Sequence, residues 1–154
     1  MITIITLGKV KERSISLLVD EYVKRLSKWT KVEFLELKDE SVDKQTVPEQ
    51  LKQKEAEKVF SALEKRKGFV VALDETGKLM DSYVFASIVK KESIENDLVF
   101  IIGGTIGLHK SILDSVDLCL GFGKMTFTRD MARLFLVEQL FRAHKINSGE
   151  GYQK

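Results

Sequence analysis

The sequence has few of the residues that support metal or covalent chemistry. It contains one cysteine, one proline and two histidines among 154 residues. His109 and His144 stand far apart in the chain, and Cys119 has no partner motif, so we expect no metal site and no intrachain disulfide. A Gly-x-Ser-x-Gly nucleophile motif is also missing. These absences leave a reaction that binding and orientation drive, such as group transfer from a reactive cofactor.

Long apolar runs and a large charge of one sign are missing too. No run approaches the roughly 20 apolar residues that cross a bilayer, and no basic segment precedes residues 2–5, so we expect neither a membrane partner nor a signal peptide. A cytoplasmic protein is the simplest interpretation. The formal net charge of +2 is too small to establish a nucleic-acid partner. Basic residues do cluster at 9–13, 24–31 and 65–67, which we interpret as solvated helix faces and helix ends.

Hydrophobic spacing predicts that strands and helices alternate along the chain. Apolar, β-branched runs predict strands, and apolar residues spaced by three and four predict helices. Residues 74–78 predict a turn after the third strand. The order βαβαβαβαβα predicts one α/β domain over residues 1–154, with a mostly parallel sheet and helices on both faces. The predicted strands span residues 2–7, 32–37, 69–73, 98–102 and 118–122, and the predicted helices span residues 13–29, 48–66, 81–92, 108–115 and 128–145.

Two glycine-bearing loops carry the strongest functional signal. Residues 103–107 (GGTIG) follow the predicted strand 98–102, and residues 121–127 (GFGKMTF) follow the strand 118–122. Glycine lets the backbone approach a ligand closely, and open α/β folds bind ligands at the carboxyl ends of their strands. Neither loop has the spacing of a dinucleotide fingerprint or a phosphate loop. We expect them to form one small-molecule pocket at neighbouring strand ends, although tight packing alone would also explain the glycines.

Charged and aromatic residues near the C-terminus each have two interpretations. Glu138 and Arg142 have the spacing of an ordinary helix ion pair, or they serve a substrate. Arg129 and Arg133 share a helix face, and a phosphate would relieve their mutual repulsion. Tyr152 lies in a tail that is either frayed or folded over the pocket, where its ring would stack on a base.

Several segments, taken together, resemble one known family in order and over essentially the whole chain. The segments are residues 1–9, 22–25, 73–78, 102–109 (IGGTIGLH), 124–127 (KMTF), 131–143 and 151–152. They resemble the SPOUT-class ribosomal RNA large-subunit methyltransferases H, which methylate N3 of a pseudouridine in large-subunit (23S) ribosomal RNA. None of the segments is sufficient alone, but their combination is specific.

This resemblance implies a fold, a cofactor and partners. It implies a C-terminal trefoil knot, which general rules of chain topology would not predict, and S-adenosylmethionine as the methyl donor. It also implies a homodimer with the active site at the subunit interface, acting on ribosomal RNA in the assembled ribosome. The implied cofactor contacts are Leu73, Gly103, Gly104, Gly123, Lys124, Met125, Thr126, Phe127 and Thr128. The implied catalytic residues on the substrate side are Arg133, Glu138, Arg142 and Tyr152.

The chain departs from the family pattern at two positions. Thr128-Arg129 stands where the family usually has Pro-His, and Tyr152-Gln153 stands where it usually has Tyr-His. An arginine binds phosphate or stabilises an anion, but it does not act as a base near neutral pH. Two alternatives therefore stay open: a catalytically weakened module that binds RNA or the ribosome, and a different α/β nucleotide-binding enzyme.

Overall fold

Strands and helices alternate along the chain in the order that the hydrophobic spacing predicts. The computed structural model describes residues 1–151, so Tyr152 and Gln153 lie outside the described residues. The elements are β1 (Ile2–Leu7), α1 (Arg13–Leu26), β2 (Val32–Leu37), α2 (Pro48–Leu63), β3 (Phe69–Lys78), α3 (Ser82–Glu92), β4 (Leu98–Ile102), α4 (Lys110–Ser115), β5 (Leu118–Leu120) and α5 (Arg129–Asn147).

The helix ends follow local chemistry. Thr128 is the N-cap of α5, and its hydroxyl accepts a hydrogen bond from the Met131 N–H at 3.3 Å, as N-cap residues commonly do. The first helix ends at Leu26, three residues before the predicted end. The N–H groups of Trp29 and Thr30 both donate to the Leu26 carbonyl, at 2.9 and 3.1 Å, and this turn closes the helix.

The sheet has five parallel strands in the order β2-β1-β4-β3-β5. Strand β3 continues to Lys78, so the prediction of a turn at residues 74–78 is wrong. The chain nevertheless makes a local excursion there, because Leu73 and Lys78 both pair with Leu120. An insertion of this kind in one strand pushes the extra residues out of the ladder. The excursion places residues 74–77 at the carboxyl edge of the sheet.

Helices cover both faces of the sheet, as predicted. Ile4 and Phe100 point to the face covered by α1, α3 and α5, where the largest apolar cluster lies. Leu7 and Ile101 point to the opposite face, where they pack against residues of α2 and α4. This alternation along each strand is the period of two that a β-strand imposes. Residues buried on both faces explain why the central strands are continuous apolar runs.

The path of the chain brings the C-terminal helix between two earlier helices. Helix α5 packs against both α1 and α3. The trefoil knot stays a prediction from the family resemblance. Among the helices of residues 1–151, none combines the length and apolar character that crossing a membrane requires.

Candidate functional site

A cavity of about 370 Å³ lies at the carboxyl edge of the sheet. Residues 73–75 of β3 and the segments that follow β4 and β5 all contribute to it, together with one residue of α2 and the start of α5. The two glycine loops do meet here, but their strands are not neighbours, because β3 lies between β4 and β5. The residues that line the cavity are Lys52, Leu73, Asp74, Glu75, Ile102, Gly103, Gly104, Thr105, Ile106, Gly107, Leu120, Phe122, Gly123, Met125, Thr126, Phe127, Arg129 and Ala132.

The first glycine loop (residues 103–107) is a tight return that rests on α2. The Gly107 N–H donates to the Gly104 carbonyl at 3.3 Å, and Gly107 has a φ of +80°, a conformation that favours glycine. A Cβ on Gly104 would lie 2.9 Å from the Glu55 Oε2 atom. Glycine at 104 therefore lets the loop lie directly against a buried side chain of α2.

The second glycine loop (residues 121–127) is fixed at its base and exposed at its tip. The Gly121 N–H donates to the Lys78 carbonyl at 3.1 Å, and a Cβ on Gly121 would lie 2.9 Å from the Gly77 carbonyl oxygen. Nearer the tip, Met125 is 73% exposed. The Thr126 hydroxyl donates to the Glu75 carboxylate and so joins this loop to the excursion in β3.

Three charged lining residues were missed by the sequence predictions. Asp74 and Glu75 reach the cavity from the excursion in β3, and Lys52 reaches it from α2. The position of Asp74 directly after a buried strand was a usable signal, because such a residue belongs at the carboxyl edge. Nothing in the local pattern of α2 pointed to Lys52. Carboxylates beside apolar walls suit a ligand that combines hydroxyl groups or a positive charge with a flat apolar ring.

Arg129 lines the cavity, but its guanidinium is held by the protein. Its side chain is 10% exposed. One terminal nitrogen donates to the Leu7 carbonyl and, at 3.1 Å, to Asp39, and the other donates to the Lys9 carbonyl at 3.3 Å. These contacts fix the arginine against the carboxyl end of β1.

Arg133, a predicted catalytic residue, is only 3% exposed. Its guanidinium donates to Glu36 at 2.9 Å and to the Thr6 hydroxyl at 2.7 Å. The prediction that a phosphate relieves the repulsion between Arg129 and Arg133 is wrong. Asp39 neutralises Arg129 and Glu36 neutralises Arg133, so no phosphate is needed. Arg133 ties α5 to the first two strands of the chain.

Glu138 and Arg142 form the helix ion pair that their spacing allows, at 2.7 Å. Glu138 also accepts a hydrogen bond from Gln139 at 2.7 Å. Glu138 lines a second cavity of about 420 Å³, which shares Phe122 and Phe127 with the first. Residues of the second glycine loop line this second cavity as well, whereas no residue of the first glycine loop does.

The remaining predicted residues fall into two groups. Leu73, Gly103, Gly104, Gly123, Met125, Thr126 and Phe127 all line the first cavity. Lys124 and Thr128 are exposed and flank it. The predicted catalytic residue Tyr152 lies outside the described residues.

Glu55 is a buried carboxylic acid directly behind the first glycine loop. It is 2% exposed. Its Oε1 atom accepts a hydrogen bond from the Glu40 N–H at 3.1 Å, whereas its buried Oε2 atom has no hydrogen-bond partner within the described part of the chain. Burial raises the pKa of Glu55, and the negative charge of Asp39 acts in the same direction. Desolvation favours the neutral form of such a group.

Metal ligands do not gather at the cavity. Across residues 1–151, no group of three or more histidine, cysteine, aspartate or glutamate side chains is arranged to hold a metal ion. The charged side chains that line it are two carboxylates, from Asp74 and Glu75, and two cations, from Lys52 and Arg129.

The fold and the cavity define an α/β protein that binds a small molecule between loops at the carboxyl edge of its sheet. Comparison with known proteins makes this more specific. Residues 1–153 match the family described as "Predicted SPOUT methyltransferase". The chain therefore belongs to the SPOUT methyltransferase family.

Its relatives match over nearly the whole length. The Ribosomal RNA large subunit methyltransferase H of Clostridium novyi (strain NT) is 40% identical, over 99% of this chain and 99% of its own length. The protein of the same name from Clostridioides difficile (strain 630) is 39% identical over the same shares. Among solved structures, a probable methylase family protein from Haemophilus influenzae Rd KW20 has a TM-score of 0.56 at 14% identity, covering 96% of this chain and 66% of that one. This last likeness supports the fold.

Proposed function

We propose that this protein transfers the methyl group of S-adenosylmethionine to ribosomal RNA of the large subunit. The observation that carries the proposal is the convergence of three strand-end segments on one cavity, in a chain of the SPOUT methyltransferase family. The names of the full-length relatives support the choice of RNA as substrate.

The residues around the cavity fit this cofactor. S-Adenosylmethionine supplies an electrophilic methyl group on a positively charged sulfur when it is bound. Gly103 and Gly104 line the cavity, and without side chains they offer their backbone to a ligand. Leu73, Leu120 and Phe127 supply an apolar wall for an adenine ring, while Asp74 and Glu75 supply carboxylates for hydroxyl groups or for positive charge. The predicted contacts Leu73, Gly103, Gly104 and residues 123–128 are part of this proposal.

The finer substrate assignment follows the family resemblance. We assign the reaction to N3 of a pseudouridine, within the assembled ribosome and hence in the cytoplasm. Glu138, Arg142 and Tyr152 are the proposed residues on the substrate side. Arg133 is buried beside Glu36, so we assign it to holding the site together instead of direct contact with RNA.

The arrangement needs little acid–base chemistry. Arg129, at the position of a usual family histidine, is always charged and cannot accept a proton near neutral pH. Arg142 and Gln139 both engage the Glu138 carboxylate, so we assign loss of the N3 proton to water. Alignment of the reactants and fixed charges then supply the acceleration.

The decisive experiment measures transfer of tritiated methyl groups to ribosomes from a strain that lacks this protein. Assembled ribosomes, free large subunits and naked ribosomal RNA are compared, and mass spectrometry identifies the modified nucleoside. We expect label on assembled ribosomes, as methylpseudouridine. No label on any of the three, with intact cofactor binding in calorimetry, would leave a module that binds RNA without catalysis.

A homodimer is part of the same proposal. Exposed apolar side chains on the helix layer that contains α5, such as Leu18 of α1 and Tyr83 of α3, support self-association. Light scattering is expected to give twice the mass of one chain. A monomer at assay concentration would contradict a site shared between subunits.

A further inference from the structure

A short basic loop lies beside the cavity, between β1 and α1. We call residues 8–13 the basic loop. Lys9, Lys11 and Arg13 are all exposed, and none of the three forms an ion pair with a carboxylate within the described residues. Glu12 is the one acid in the loop. The loop therefore presents an excess of positive charge to solvent.

The backbone of this loop is held by the first turn and a half of α5. Asp130 is 8% exposed, and its carboxylate accepts hydrogen bonds from the N–H groups of Lys11 and Glu12 at 3.0 and 3.2 Å. Arg129 donates to the Lys9 carbonyl at 3.3 Å. Helix α5 thus fixes the backbone of the basic loop, while the exposed cationic side chains of the loop form no ion pair with a carboxylate of residues 1–151.

Further anchors hold the beginning of the loop. The Gly8 N–H donates to the Leu37 carbonyl at 2.7 Å, and Arg133 donates to the Gly8 carbonyl at 3.2 Å. A surface loop with no role beyond solubility needs no such fixed backbone, since solvated lysines serve equally well on a mobile segment. A fixed loop, by contrast, loses less conformational entropy when it binds a partner.

The position of the loop connects it to the cavity. Strand β1 lies next to β4 in the sheet, so the basic loop and the first glycine loop leave the same edge from adjacent strands. Arg129 connects the basic loop to the cavity, because it lines the cavity and donates a hydrogen bond to the Lys9 carbonyl. A polyanion that reaches the cavity from this side meets the basic loop.

We propose that the basic loop is a docking surface for the phosphate backbone of the RNA substrate. This inference rests on the proposed function, which supplies RNA as the partner. Lysine and arginine contacts to phosphates release counterions, which makes binding strongly dependent on salt. Such contacts position the nucleic acid without reading its sequence.

The test compares the double variant Lys9→Ala/Lys11→Ala with a matched control, Lys65→Ala/Lys67→Ala. The control removes two exposed lysines that precede β3 and therefore lie at the opposite, amino edge of the sheet. Binding to large-subunit ribosomal RNA is measured by filter retention over a series of salt concentrations. Cofactor affinity is measured by calorimetry, and both variants should bind S-adenosylmethionine within about twofold of the parent, as expected for surface changes.

We expect the Lys9/Lys11 variant to lose RNA affinity on the order of tenfold at low salt. Its plot of log affinity against log salt should be shallower by about 1.4 to 1.8, because each phosphate contact contributes roughly 0.7 to 0.9. The Lys65/Lys67 control should keep the parent slope. Replacement by arginine, Lys9→Arg/Lys11→Arg, should also keep it, since the charge is retained.

Equal salt slopes for the parent and the Lys9/Lys11 variant would overturn the inference, as would an equal loss in the control. In methyl transfer to ribosomes, we expect the Lys9/Lys11 variant to show a raised KM and a kcat close to that of the parent. An active parent with an unaffected variant refutes only the docking surface. A parent that transfers no methyl group to ribosomes refutes the proposed function instead, whatever the salt slopes are.

Discussion

The two glycine loops line one cavity but are supported in different ways. The first loop is held along its length, by its own internal hydrogen bond and by Glu55 of α2 behind Gly104. The second loop is held at Gly121, where two backbone segments touch, and its tip at Met125 is exposed. At Gly123 a Cβ would meet only the Phe127 ring, at 3.9 Å.

This difference separates glycines that the structure requires from glycines that it tolerates. At Gly121 the obstacles include backbone carbonyl oxygens, which cannot move aside as readily as the end of a side chain. At Gly104 the obstacle is the end of one buried side chain, which can be removed by mutation. At Gly123 an ordinary van der Waals contact is the only consequence. A ranked series of substitutions therefore tests the comparison directly.

Gly121→Ala should have the largest effect. Its Cβ would meet the carbonyl oxygens of Gly77 and Asp74 at 2.9 and 3.2 Å, and overpacking of this kind commonly costs about 1–3 kcal/mol. We expect a loss of about 3 kcal/mol in the free energy of unfolding, measured by urea denaturation. Gly123→Ala is the matched control and should change it by less than about 0.5 kcal/mol. Equal losses in the two variants would show that the base of the second glycine loop is no more tightly packed than its tip.

Gly104→Ala should have the next largest effect, and it should be rescued. We expect about 1–2 kcal/mol of destabilisation and a drop in cofactor affinity of about tenfold, because the new methyl group displaces the loop from the Glu55 carboxyl group. The double variant Gly104→Ala/Glu55→Ala should recover part of both losses, with a coupling energy of about 1 kcal/mol. Calorimetry and urea denaturation are applied to the parent, to each single variant and to the double variant. Strictly additive effects would show that Glu55 does not support the loop.

The pH dependence of stability is a second test of the role of Glu55, and its expected effect is smaller than that of Gly104→Ala. Because burial raises the pKa of Glu55, the folded protein binds this proton more tightly than the unfolded chain. The contribution is fully present below the ordinary carboxyl pKa of about 4.3 and is lost as the pH rises through the raised pKa. Glu55→Gln should remove this decline, by at most about 1.4 kcal/mol per pH unit. Parallel stability curves for the parent and Glu55→Gln would contradict a raised pKa of Glu55.

Thr126→Val should have the smallest effect. It removes the exposed hydrogen bond to Glu75 that joins the second loop to β3. An exposed bond of this kind contributes at most about 1 kcal/mol, so we expect less than about fivefold loss of cofactor affinity. Thr105→Val, in the firmly held first loop, is the matched control. A large loss in Thr126→Val would show that the tip of the second loop depends on this one contact.

Much of the fold could be predicted because it follows from local spacing. The apolar runs of β1 and β4 and the helical spacing in α1 depend only on near neighbours in the chain. The return of the chain to the sheet at Lys78 could not be predicted, because it depends on two residues of β3 pairing with the same Leu120. The position of β3 between β4 and β5 has the same origin in contacts between distant segments.

The site was predicted best where it consists of backbone. Gly103, Gly104 and Gly123 could be chosen because glycine after a buried strand has a local meaning. Lys52 and Glu55 could not, because their role depends on how α2 packs against a loop about 50 residues later in the chain. Arg133 was placed on the substrate side by the family resemblance, and its burial and its pairing with Glu36 depend on contacts with β1 and β2 that the local pattern of α5 does not reveal.

The anchoring of residues 8–12 by Arg129, Asp130 and Arg133 has a consequence for synthesis of the chain. A polypeptide emerges from its amino end, and early segments fold before late ones when their contacts are local. These contacts join residues more than 115 positions apart. The segment that we propose to face RNA therefore emerges early, and the anchors that α5 provides form only when this final helix has been made. A nascent or truncated chain without α5 therefore has Lys9 and Lys11 but lacks the contacts from α5 that fix the basic loop.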